Sequence, residues 1–462
     1  MNSCRPGFNP HLDQPKRDDE HAHRSAERIW HVGLFLFAQA IGLAARLGVH
    51  VLQRVALLFI HDQHEVRAGD ERGAHGARAV VTLDVADSVG IADAEIVAAD
   101  VDSRRMTPED ATTSNIDAWH RGDGRHRRLY KKIDSTLRGN WAAETVALQP
   151  LAGLAIIAPA FPATGRTTRG GRMFVNGQPL EDTDIWRLEG LNGHADMVAL
   201  LAARGLATAL LPLDVVRAGA PAVLAELRAR QADGIAAVVC DAETEQDLVT
   251  LADASSQLDT PAYWVGSGGL ARALSTVAQV SRAETTSPLT YHRGPMLTMV
   301  GSMSGISGKQ AAYLCERARM EALIVAPQTL RDGPGHPAWT TTRQSITTCL
   351  SAGRDLLLSI GRDDAFDPAE GSRLSTALAQ LVLPSFEHVG GLIATGGETA
   401  RAMLGAAGIA ALALRHEVEP GVPLSDTIES LPGAPARRVA TKAGAFGTEA
   451  ALWLAWQAMR QN

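Results

Sequence analysis

The segment 130–140, YKKIDSTLRGN, holds the densest set of side chains that could do chemistry in this sequence. Arg138 could bind a carboxylate through two parallel hydrogen bonds, and Lys131 or Lys132 could add a point charge. Asp134 could accept the proton of a hydroxyl group. The set suits an anionic, hydroxylated small molecule, although a charged loop whose aspartate or serine caps a helix would contain the same residues.

A second candidate is the loop 158–171, APAFPATGRTTRGG, which follows a short apolar run. Its two prolines stiffen the backbone, its three glycines permit tight turns, and its two arginines add positive charge. Loops with these properties are common in substrate-binding sites. An ordinary surface loop with solvated arginines is the alternative interpretation.

Glycine-rich turns follow three predicted strands and precede helices, in the segments 265–270, 300–305 and 393–400. Each could present backbone N–H groups to a phosphate at a helix N-terminus. Tight turns also use glycine for steric reasons alone, but three such turns in one chain favour nucleotide binding. The sequence has no GxGxxG at these turns, and Gly308-Lys309 lacks the earlier glycine of a Walker A motif.

These turns sit between elements that alternate along the chain. Short β-branched runs end in Asp, Gly, Ser or Pro and lead into helical stretches, which is typical of parallel sheets. We predict an α/β fold of two domains with mainly parallel sheets flanked by helices. Ligands bind at the carboxyl ends of strands in such sheets. The predicted strands cover residues 79–85, 95–101, 154–158, 235–240, 262–265, 297–300, 355–360 and 391–395.

The chain changes character at two places. A polar connector over residues 281–294 marks a domain boundary, which predicts one domain over 77–285 and another over 294–462. Before residue 77 lie eight of the fifteen histidines, mixed with charged residues in no clear period. No pair of them has HExxH or zinc-finger spacing. We treat 1–76 as an atypical His-rich segment.

Composition narrows the function further. The formal net charge of -7 argues against general nucleic-acid binding, which needs a basic excess. The four cysteines are far apart, and no export signal or bilayer-length apolar run is visible, so we expect a cytoplasmic protein without a membrane segment. The expected partners are small molecules. The sequence is compatible with a homo-oligomer but does not determine the oligomeric state.

The chain resembles the four-carbon acid sugar kinase family from about residue 77 to its end. The resemblance implies an N-terminal substrate-binding domain, a C-terminal nucleotide-binding domain, and ATP and Mg²⁺ as cofactors. It further implies transfer of the ATP γ-phosphate to the terminal hydroxyl of an acid such as D-threonate or D-erythronate. It rests on five segments in the family's order: KKIDSTLRGN at 131–140, APAFPATGRTTRGGRMFVNGQPL at 158–180, GSGGLA at 266–271, TGGETA at 395–400 and TKAGAFG at 441–447.

The resemblance also implies roles for individual residues. From its residue type, Asp134 is our candidate for the catalytic base, with the N-terminal aspartates of the family pattern as the alternative, and no metal ligand can be assigned. The substrate-binding residues would be Asp102, Ser103, Arg104, Lys132, Asp134, Ser135 and Arg138. The ATP-binding residues would be Ser267, Gly396, Gly397, Glu398, Thr399 and Gly444.

One part of the family pattern is missing. Family members begin with a strand that ends in an Asp-Asp-Leu-Thr-Gly-Ala-like turn, and nothing in 1–76 resembles it. We interpret 1–76 as replacing the expected first strand and helix. An ATP-dependent kinase is the main hypothesis. A catalytically impaired protein that binds sugar acid and nucleotide is the first alternative, and an NAD-dependent enzyme acting on the same acids is the second.

Overall fold

A computed structural model describes most of the chain from residue 55 onward. The segment 1–54 and the tail of the expected N-terminal segment, 62–76, lie outside it, as does most of the predicted connector. The described residues are 55–61, 79–82, 96–101, 103–188, 193–277, 291–302, 304–363, 370–419, 422–428, 435–442 and 447–460.

Strands of the first half form most of one large sheet and all of one small sheet. They are β1 (Val55–His61), β2 (Ala79–Thr82), β3 (Ile96–Asp100), β4 (Arg127–Lys132), β5 (Leu154–Ala158), β6 (Arg166–Arg169), β7 (Arg172–Val175), β8 (Gln178–Pro179), β9 (Thr208–Leu211), β10 (Ala237–Cys240) and β11 (Ala262–Gly266). Strands β6 to β8 make the small antiparallel sheet.

Strands of the second half complete the large sheet. They are β12 (Met296–Val300), β13 (Glu321–Val325), β14 (Leu356–Ile360), β15 (Gly391–Thr395), β16 (Ala411–Glu419), β17 (Val422–Ile428) and β18 (Arg438–Lys442). The order across the sheet is β13-β14-β12-β15-β18-β17-β16-β2-β3-β1-β4-β11-β5-β10-β9.

The helices connect successive strands. They are α1 (Pro108–Arg121), α2 (Trp141–Ala152), α3 (Asp184–Leu188), α4 (Met197–Ala202), α5 (Leu213–Arg217), α6 (Ala220–Ala232), α7 (Glu245–Ser256), α8 (Gly268–Val277), α9 (Gly305–Ala318), α10 (Pro327–Asp332), α11 (Pro337–Ser351), α12 (Gly371–Val382), α13 (Gly397–Ala406) and α14 (Ala451–Arg460). Short 3-10 helices cover Ser103–Arg105, Gly124–His126, Pro162–Thr164, Leu180–Asp182, Gly333–Gly335 and Leu383–His388.

Strand β5 illustrates why the sheet is buried. All five residues of its LAIIA sequence are buried. Leu154 and Ile156 pack with α6, α7 and α8 on one face, while Ala155 and Ile157 pack with α1, α2 and α4 on the other. A continuous apolar run is what a parallel strand covered by helices on both faces requires. The helices of the second half likewise cover both faces of its strands.

The predicted α/β architecture with mainly parallel strands is confirmed. Strands β4, β11, β5, β10 and β9 are parallel, and so are β13, β14, β12, β15 and β18. Antiparallel pairing is concentrated at the centre of the sheet, where β16 pairs with both β17 and β2. The β2–β16 pair joins the two halves into one continuous sheet.

Within the atypical N-terminal segment, β1 occupies a place in the large sheet. It lies between β3 and β4 and runs antiparallel to both. A strand at this position is therefore present, although the turn expected after it is absent from the sequence. The interpretation of the rest of 1–76, and the division into domains over 77–285 and 294–462, stay predictions.

Candidate active site

The lysine-rich segment begins in a strand and continues into a turn at the carboxyl edge of the sheet. Lys132 is the last residue of β4 and pairs in register with Gly266, the last residue of β11. The backbone N–H of Ile133 donates to the carbonyl of Gly266 at 2.8 Å. The parallel pairing thus brings the turn after β4 beside the turn after β11, as the rule for open α/β sheets predicts.

The two neighbouring lysines have different environments because successive strand residues face opposite sides of a sheet. Lys131 is buried, and its Nζ lies 2.7 Å from Oε2 of the buried Glu144. The hydroxyl of Ser103 donates to Oε1 of the same carboxylate. Removing one partner of such a buried ion pair typically costs about 3–5 kcal/mol. Lys131 and Ser103 are therefore parts of an internal network that supports the site.

Lys132 is half-buried on the opposite side of the strand. Burial lowers its pKa to about 8, helped by the positive charges of Lys131, Arg104 and Arg138 and opposed by Asp134. A cation held under these conditions is stabilised by a nearby anion. Of the two lysines that the sequence offered, Lys132 is the one placed to meet an anionic ligand.

Asp134 organises the positive charge of the turn. Its Oδ1 and Oδ2 accept hydrogen bonds from Nε and Nη2 of Arg138 at 3.2 and 2.8 Å, and Nη2 of Arg104 lies 3.9 Å from Oδ2. The backbone N–H and the hydroxyl of Thr136 also donate to Oδ1. Although burial opposes ionisation, these donors lower the pKa of Asp134 to about 2. The carboxylate is therefore ionised at neutral pH and is a weak base.

The backbone of this turn packs against the segment that contains Ser103 and Arg104, so the two groups of predicted substrate-binding residues lie together. Leu137 and Gly139 have φ angles of 56° and 82°, in the left-handed region. A Cβ on Gly139 would lie 3.2 Å from Cγ of Arg104, so glycine permits the close approach. The Asn140 side-chain amide donates to the carbonyl of Ser103 at 3.0 Å. Ser135 lies half-buried in the same turn, and Asp102 lies outside the described residues.

Ser267 follows β11 and is buried. Its hydroxyl donates to the carbonyl of Ala160 at 3.0 Å and accepts from the N–H of Gly269, while its carbonyl accepts from Tyr130. Because β11 pairs with β4, Ser267 lies beside the lysine-rich turn. Seven strands separate β11 from β15 in the sheet order. A role of Ser267 in ATP binding stays a prediction.

The glycine-rich turns of the second half lie side by side at the ends of β12 and β15. The N–H of Gly301 donates to the carbonyl of Thr395 at 3.1 Å, and the N–H of Gly396 donates to the carbonyl of Lys442 at 2.8 Å. A Cβ on Gly301 would overlap the Thr399 hydroxyl, and Gly396 has a φ of 97°. Glycine therefore permits the close approach of Thr399 to Gly301 and the left-handed backbone of Gly396.

The other predicted nucleotide ligands surround this pair of turns. Thr399 is buried and its hydroxyl lies 3.1 Å from that of Ser375, whereas Gly397 is exposed and Glu398 is half-buried in the first turn of α13. Gly444 lies outside the described residues. Exposed amides at the start of a helix, beside a second glycine turn, can hold phosphate oxygens.

Lys442 was not among the predicted ligands, although its segment was part of the resemblance. It ends β18 in register with Thr395 of β15 and is 1% exposed. Burial lowers its pKa to about 8, opposed by the negative charge of Glu419. A buried lysine at the carboxyl end of a strand next to two glycine turns is a strong candidate for a phosphate contact. The sequence signal that could have identified Lys442 was its position immediately before a glycine-rich segment.

The second candidate loop, 158–171, is held by acidic side chains of the segment between β10 and α7. Nε of Arg169 donates to Oε1 of Glu243 at 2.7 Å. The carboxylate of Asp241 accepts from the N–H groups of Gly170 and Gly171 at 2.7 and 2.9 Å. Arg169 pairs with Glu243, but its side chain is 69% exposed, so the interpretation of 158–171 as a surface loop with solvated arginines stays open.

Two general features of the described residues bear on function. None of their helices is both long and apolar enough to cross a bilayer. The same residues contain no cluster of three or more His, Cys, Asp or Glu side chains that could hold a metal ion.

Comparison with known proteins defines the two halves. Residues 68–274 match the sugar-binding N-terminal domain model SBD_N, and residues 297–452 match the nucleotide-binding C-terminal domain model NBD_C. The chain is 67% identical to a D-threonate kinase of Cupriavidus necator over 388 residues, which cover 84% of this chain and 93% of that protein. It is 35% identical to a D-threonate kinase of Bordetella bronchiseptica over 80% of this chain and 87% of that one.

The fold also matches a solved structure. A crystal structure from Salmonella typhimurium superposes with a TM-score of 0.67 at 21% identity and covers 84% of this chain and 94% of its own. A sugar-binding half, a nucleotide-binding half and strand-end turns that carry cations and glycines define a two-part α/β kinase of small sugar acids. The chain belongs to the four-carbon acid sugar kinase family. As a kinase with a nucleotide-binding domain, it uses ATP.

Proposed function

We propose that this chain transfers the γ-phosphate of ATP to the terminal hydroxyl of D-threonate. The observation that carries the proposal is the cationic turn after β4, where Lys132, Arg138 and Arg104 surround a single carboxylate, Asp134. An excess of positive charge at a strand end suits a ligand with one carboxylate and several hydroxyls. The identity of 67% to a D-threonate kinase supports this acid among the four-carbon acids.

We assign the substrate contacts to the turn as follows. Lys132 supplies a point charge for the acid, and Arg138 offers its planar guanidinium to the substrate carboxylate while Asp134 keeps it in place. Asp134 itself accepts a hydrogen bond from a substrate hydroxyl and orients it. A weak base is sufficient because phosphoryl transfer depends mainly on positioning and charge neutralisation. Ser135 and Asp102 complete the proposed substrate site, and Ser103 supports it through its hydrogen bond to the buried Glu144.

We assign ATP binding to the turns after β12, β15 and β18, with Lys442 as an additional phosphate ligand. Gly397, which is exposed at the start of α13, supports this assignment because the first N–H groups of a helix have no acceptor within the helix. Mg²⁺ commonly binds through one or two carboxylates together with the phosphates and water. Glu398, in the first turn of α13, is the carboxylate that fits this role, and the metal would neutralise charge on the transferring phosphate.

Turnover tests the proposal directly. The full chain, supplied with MgATP, should release ADP with D-threonate and more slowly with D-erythronate or L-threonate. Phosphorus NMR of the product should show a phosphate ester on the terminal carbon of the acid. ADP release with another four-carbon acid but none with D-threonate would show that D-threonate is not the substrate. The assignment of the chain as a sugar-acid kinase would still hold.

The second candidate function is a binding protein without turnover. The absence of an Asp-Asp-Leu-Thr-Gly-Ala-like turn from 1–76 favours it, since that turn belongs to the family's substrate site. Calorimetric binding of D-threonate and ADP without any ADP release from ATP would identify this function. Binding of NAD in place of ATP would instead support a dehydrogenase and contradict both candidates.

We also propose a cytoplasmic location, supported by Cys240, Cys315 and Cys349, which form no disulfide within the described residues. The division into a sugar-acid domain over 77–285 and a nucleotide domain over 294–462 is part of the same proposal. Light scattering of the purified chain would determine whether it is a homo-oligomer.

A further inference from the structure

The loop after β5, residues 158–171, adjoins the proposed substrate site at the carboxyl edge of the sheet. The hydroxyl of Ser267, in the turn after β11, donates to the carbonyl of Ala160 at 3.0 Å. A Cβ on Gly268 would lie 3.1 Å from the ring of Phe161. Since β11 lies between β5 and β4 in the sheet order, the ends of β5 and β4 are about 10 Å apart. The loop is therefore close enough to contribute a side chain to the site after β4.

Arg166 is fixed in this loop by its backbone and points towards the carboxyl edge of the large sheet. The N–H of Phe161 donates to the carbonyl of Arg166 at 2.8 Å, and the N–H of Arg166 donates back at 3.2 Å. Arg166 begins β6, and residues two apart in a strand face the same side, so Arg166 and Thr168 share a face. The hydroxyl of Thr168 accepts from the N–H of Ala242 at 2.8 Å and donates to the carbonyl of Cys240, the last residue of β10, at 3.4 Å.

The guanidinium of Arg166 is not paired with a carboxylate of the described residues. Its Nη1 donates to the carbonyl of Thr164, and its Nε is buried without a hydrogen-bond partner in the described part of the chain. Arg169 of the same strand is paired with Glu243. A buried N–H group without an acceptor is unfavourable, and an anionic acceptor would remove that cost. Arg166 is therefore suited to an anion supplied by a ligand.

The proposed nucleotide site lies on the other side of the substrate turn. Arg401 of α13, the helix that begins at the glycine turn proposed for ATP, contacts Asp100 at the end of β3. In the sheet order, β3 lies on one side of β4 and β5 lies on the other. An acid bound at the end of β4 therefore has the nucleotide on the β3 side and Arg166 on the β5 side. Because its terminal hydroxyl must face the nucleotide, its carboxylate faces Arg166.

We propose that Arg166 is a further substrate-binding residue, which contacts the carboxylate of the sugar acid on the side remote from ATP. This assignment rests on the proposed kinase function. A carboxylate has about four acceptor positions, so it can accept hydrogen bonds from Arg138 and Arg166 together. The second guanidinium helps the enzyme to select an acid over the neutral polyol of the same length.

Arg166→Ala tests the assignment with two ligands that differ only at the end in question. D-threitol has a hydroxymethyl group in place of the carboxylate of D-threonate. Calorimetry measures D-threonate binding to the full chain, and ligand-observed NMR measures the weaker D-threitol. We expect Arg166→Ala to bind D-threonate about tenfold more weakly, the effect of one charge-assisted contact, and to bind D-threitol as the unmodified chain does. Arg166→Lys should be intermediate, because an ammonium group lacks the planar fork.

Arg169→Ala is the matched control, since Arg169 lies three residues later with its side chain 69% exposed. It should bind D-threonate as the unmodified chain does. Two results would overturn the assignment. One is unchanged D-threonate binding in Arg166→Ala, and the other is equal weakening of D-threonate and D-threitol, which would indicate a structural role only.

The binding measurements need no turnover, so a chain that binds D-threonate but releases no ADP still tests Arg166. Absence of D-threonate binding by the unmodified chain would contradict the proposed function itself and with it this assignment. If Arg166→Ala does not fold, a crystal structure of the unmodified chain with D-threonate decides the question. The carboxylate should lie about 3 Å from the guanidinium of Arg166, and a carboxylate that contacts Arg138 alone would refute the assignment.

Discussion

Nη1 of Arg401 lies 3.3 Å from Oδ2 of Asp100, and this ion pair connects the two candidate ligand sites. Asp100 ends β3, immediately before the loop that contains Ser103 and Arg104. Arg401 belongs to α13, the helix that begins at the glycine turn proposed for ATP. The contact therefore links the loop for the sugar acid to the helix for the nucleotide.

Arg401→Ala should weaken the communication between the two ligands. We expect the KM values for D-threonate and ATP to rise together, about three- to tenfold. The reason is that the loop after β3 and helix α13 are no longer held in place by the ion pair between them. Stability should fall by about 1–3 kcal/mol, because Arg401 is 35% exposed but the carboxylate of Asp100, which is 7% exposed, loses a donor. Steady-state kinetics and urea unfolding measure these effects. Arg401→Lys should restore part of the loss, whereas Arg343→Ala, at an exposed position of α11, serves as the control. A change in stability alone would contradict a positioning role.

Arg138→Ala should act mainly on the sugar acid. The substitution removes the guanidinium and releases Asp134, so the KM for D-threonate should rise at least about tenfold while the KM for ATP changes little. Arg138→Lys should give an intermediate KM, because an ammonium group cannot form the paired hydrogen bonds of a guanidinium. Steady-state kinetics with each substrate varied in turn provide the measurement. Equal changes in both KM values would exclude the carboxylate role.

The pKa of Lys132 predicts an alkaline limit for the reaction. As pH rises through about 8, the folded enzyme loses the proton on this amine and with it the charge that attracts the acid. The kcat/KM for D-threonate, which reports on the free enzyme, should therefore fall above pH 8. Lys132→Arg should move this limb to higher pH, since an arginine stays charged. Lys442→Met is the control, because Lys442 has a similar pKa in the nucleotide half. If the decrease in kcat/KM above pH 8 is unchanged in Lys132→Arg, a group other than Lys132 causes it.

Gly301→Ala should impair nucleotide binding by steric overlap. The new methyl group would meet the Thr399 hydroxyl, so α13 must shift and the KM for ATP should rise by about tenfold or more. Gly305→Ala is the matched control four residues later, where an added Cβ meets nothing within 4 Å. The double change Gly301→Ala with Thr399→Ala should recover stability in thermal unfolding. Identical behaviour of the Gly301 and Gly305 variants would refute this packing argument.

Local patterns predicted the strands that are buried on both faces. Leu154–Ala158 and Gly391–Thr395 were predicted with the bounds that the structure has, because each is a short apolar run between turn residues. Strand β4 was missed, since four of the six residues in RRLYKK are basic. Its charges are balanced by distant partners such as Glu144, which no local pattern reveals. The antiparallel strand β16 was missed for a similar reason, because its pairing with β2 joins segments far apart in sequence, and β17, which pairs with β16, was missed with it.

Prediction of the site residues was limited in the same way, because local sequence does not show which distant side chains come into contact. The composition of 130–140 indicated an anion site, but it left Lys131 and Lys132 equivalent. The period of two in a strand separates them once β4 is known, with Lys131 turned towards Glu144. Asp134 was predicted as a base from its residue type alone. Its low pKa depends on the geometry of Arg138 and Thr136, which the sequence does not contain.

The pairing of β2 with β16 joins the sugar-binding half of the enzyme to its nucleotide-binding half. In this pairing, Thr82, Val81 and Val80 lie opposite Ala411, Leu412 and Ala413. The two ligand-binding halves therefore share one sheet and are not joined by a linker alone. Any movement of one half relative to the other would therefore have to deform the pairing of β2 with β16, so ligand binding in one half is coupled mechanically to the backbone of the other.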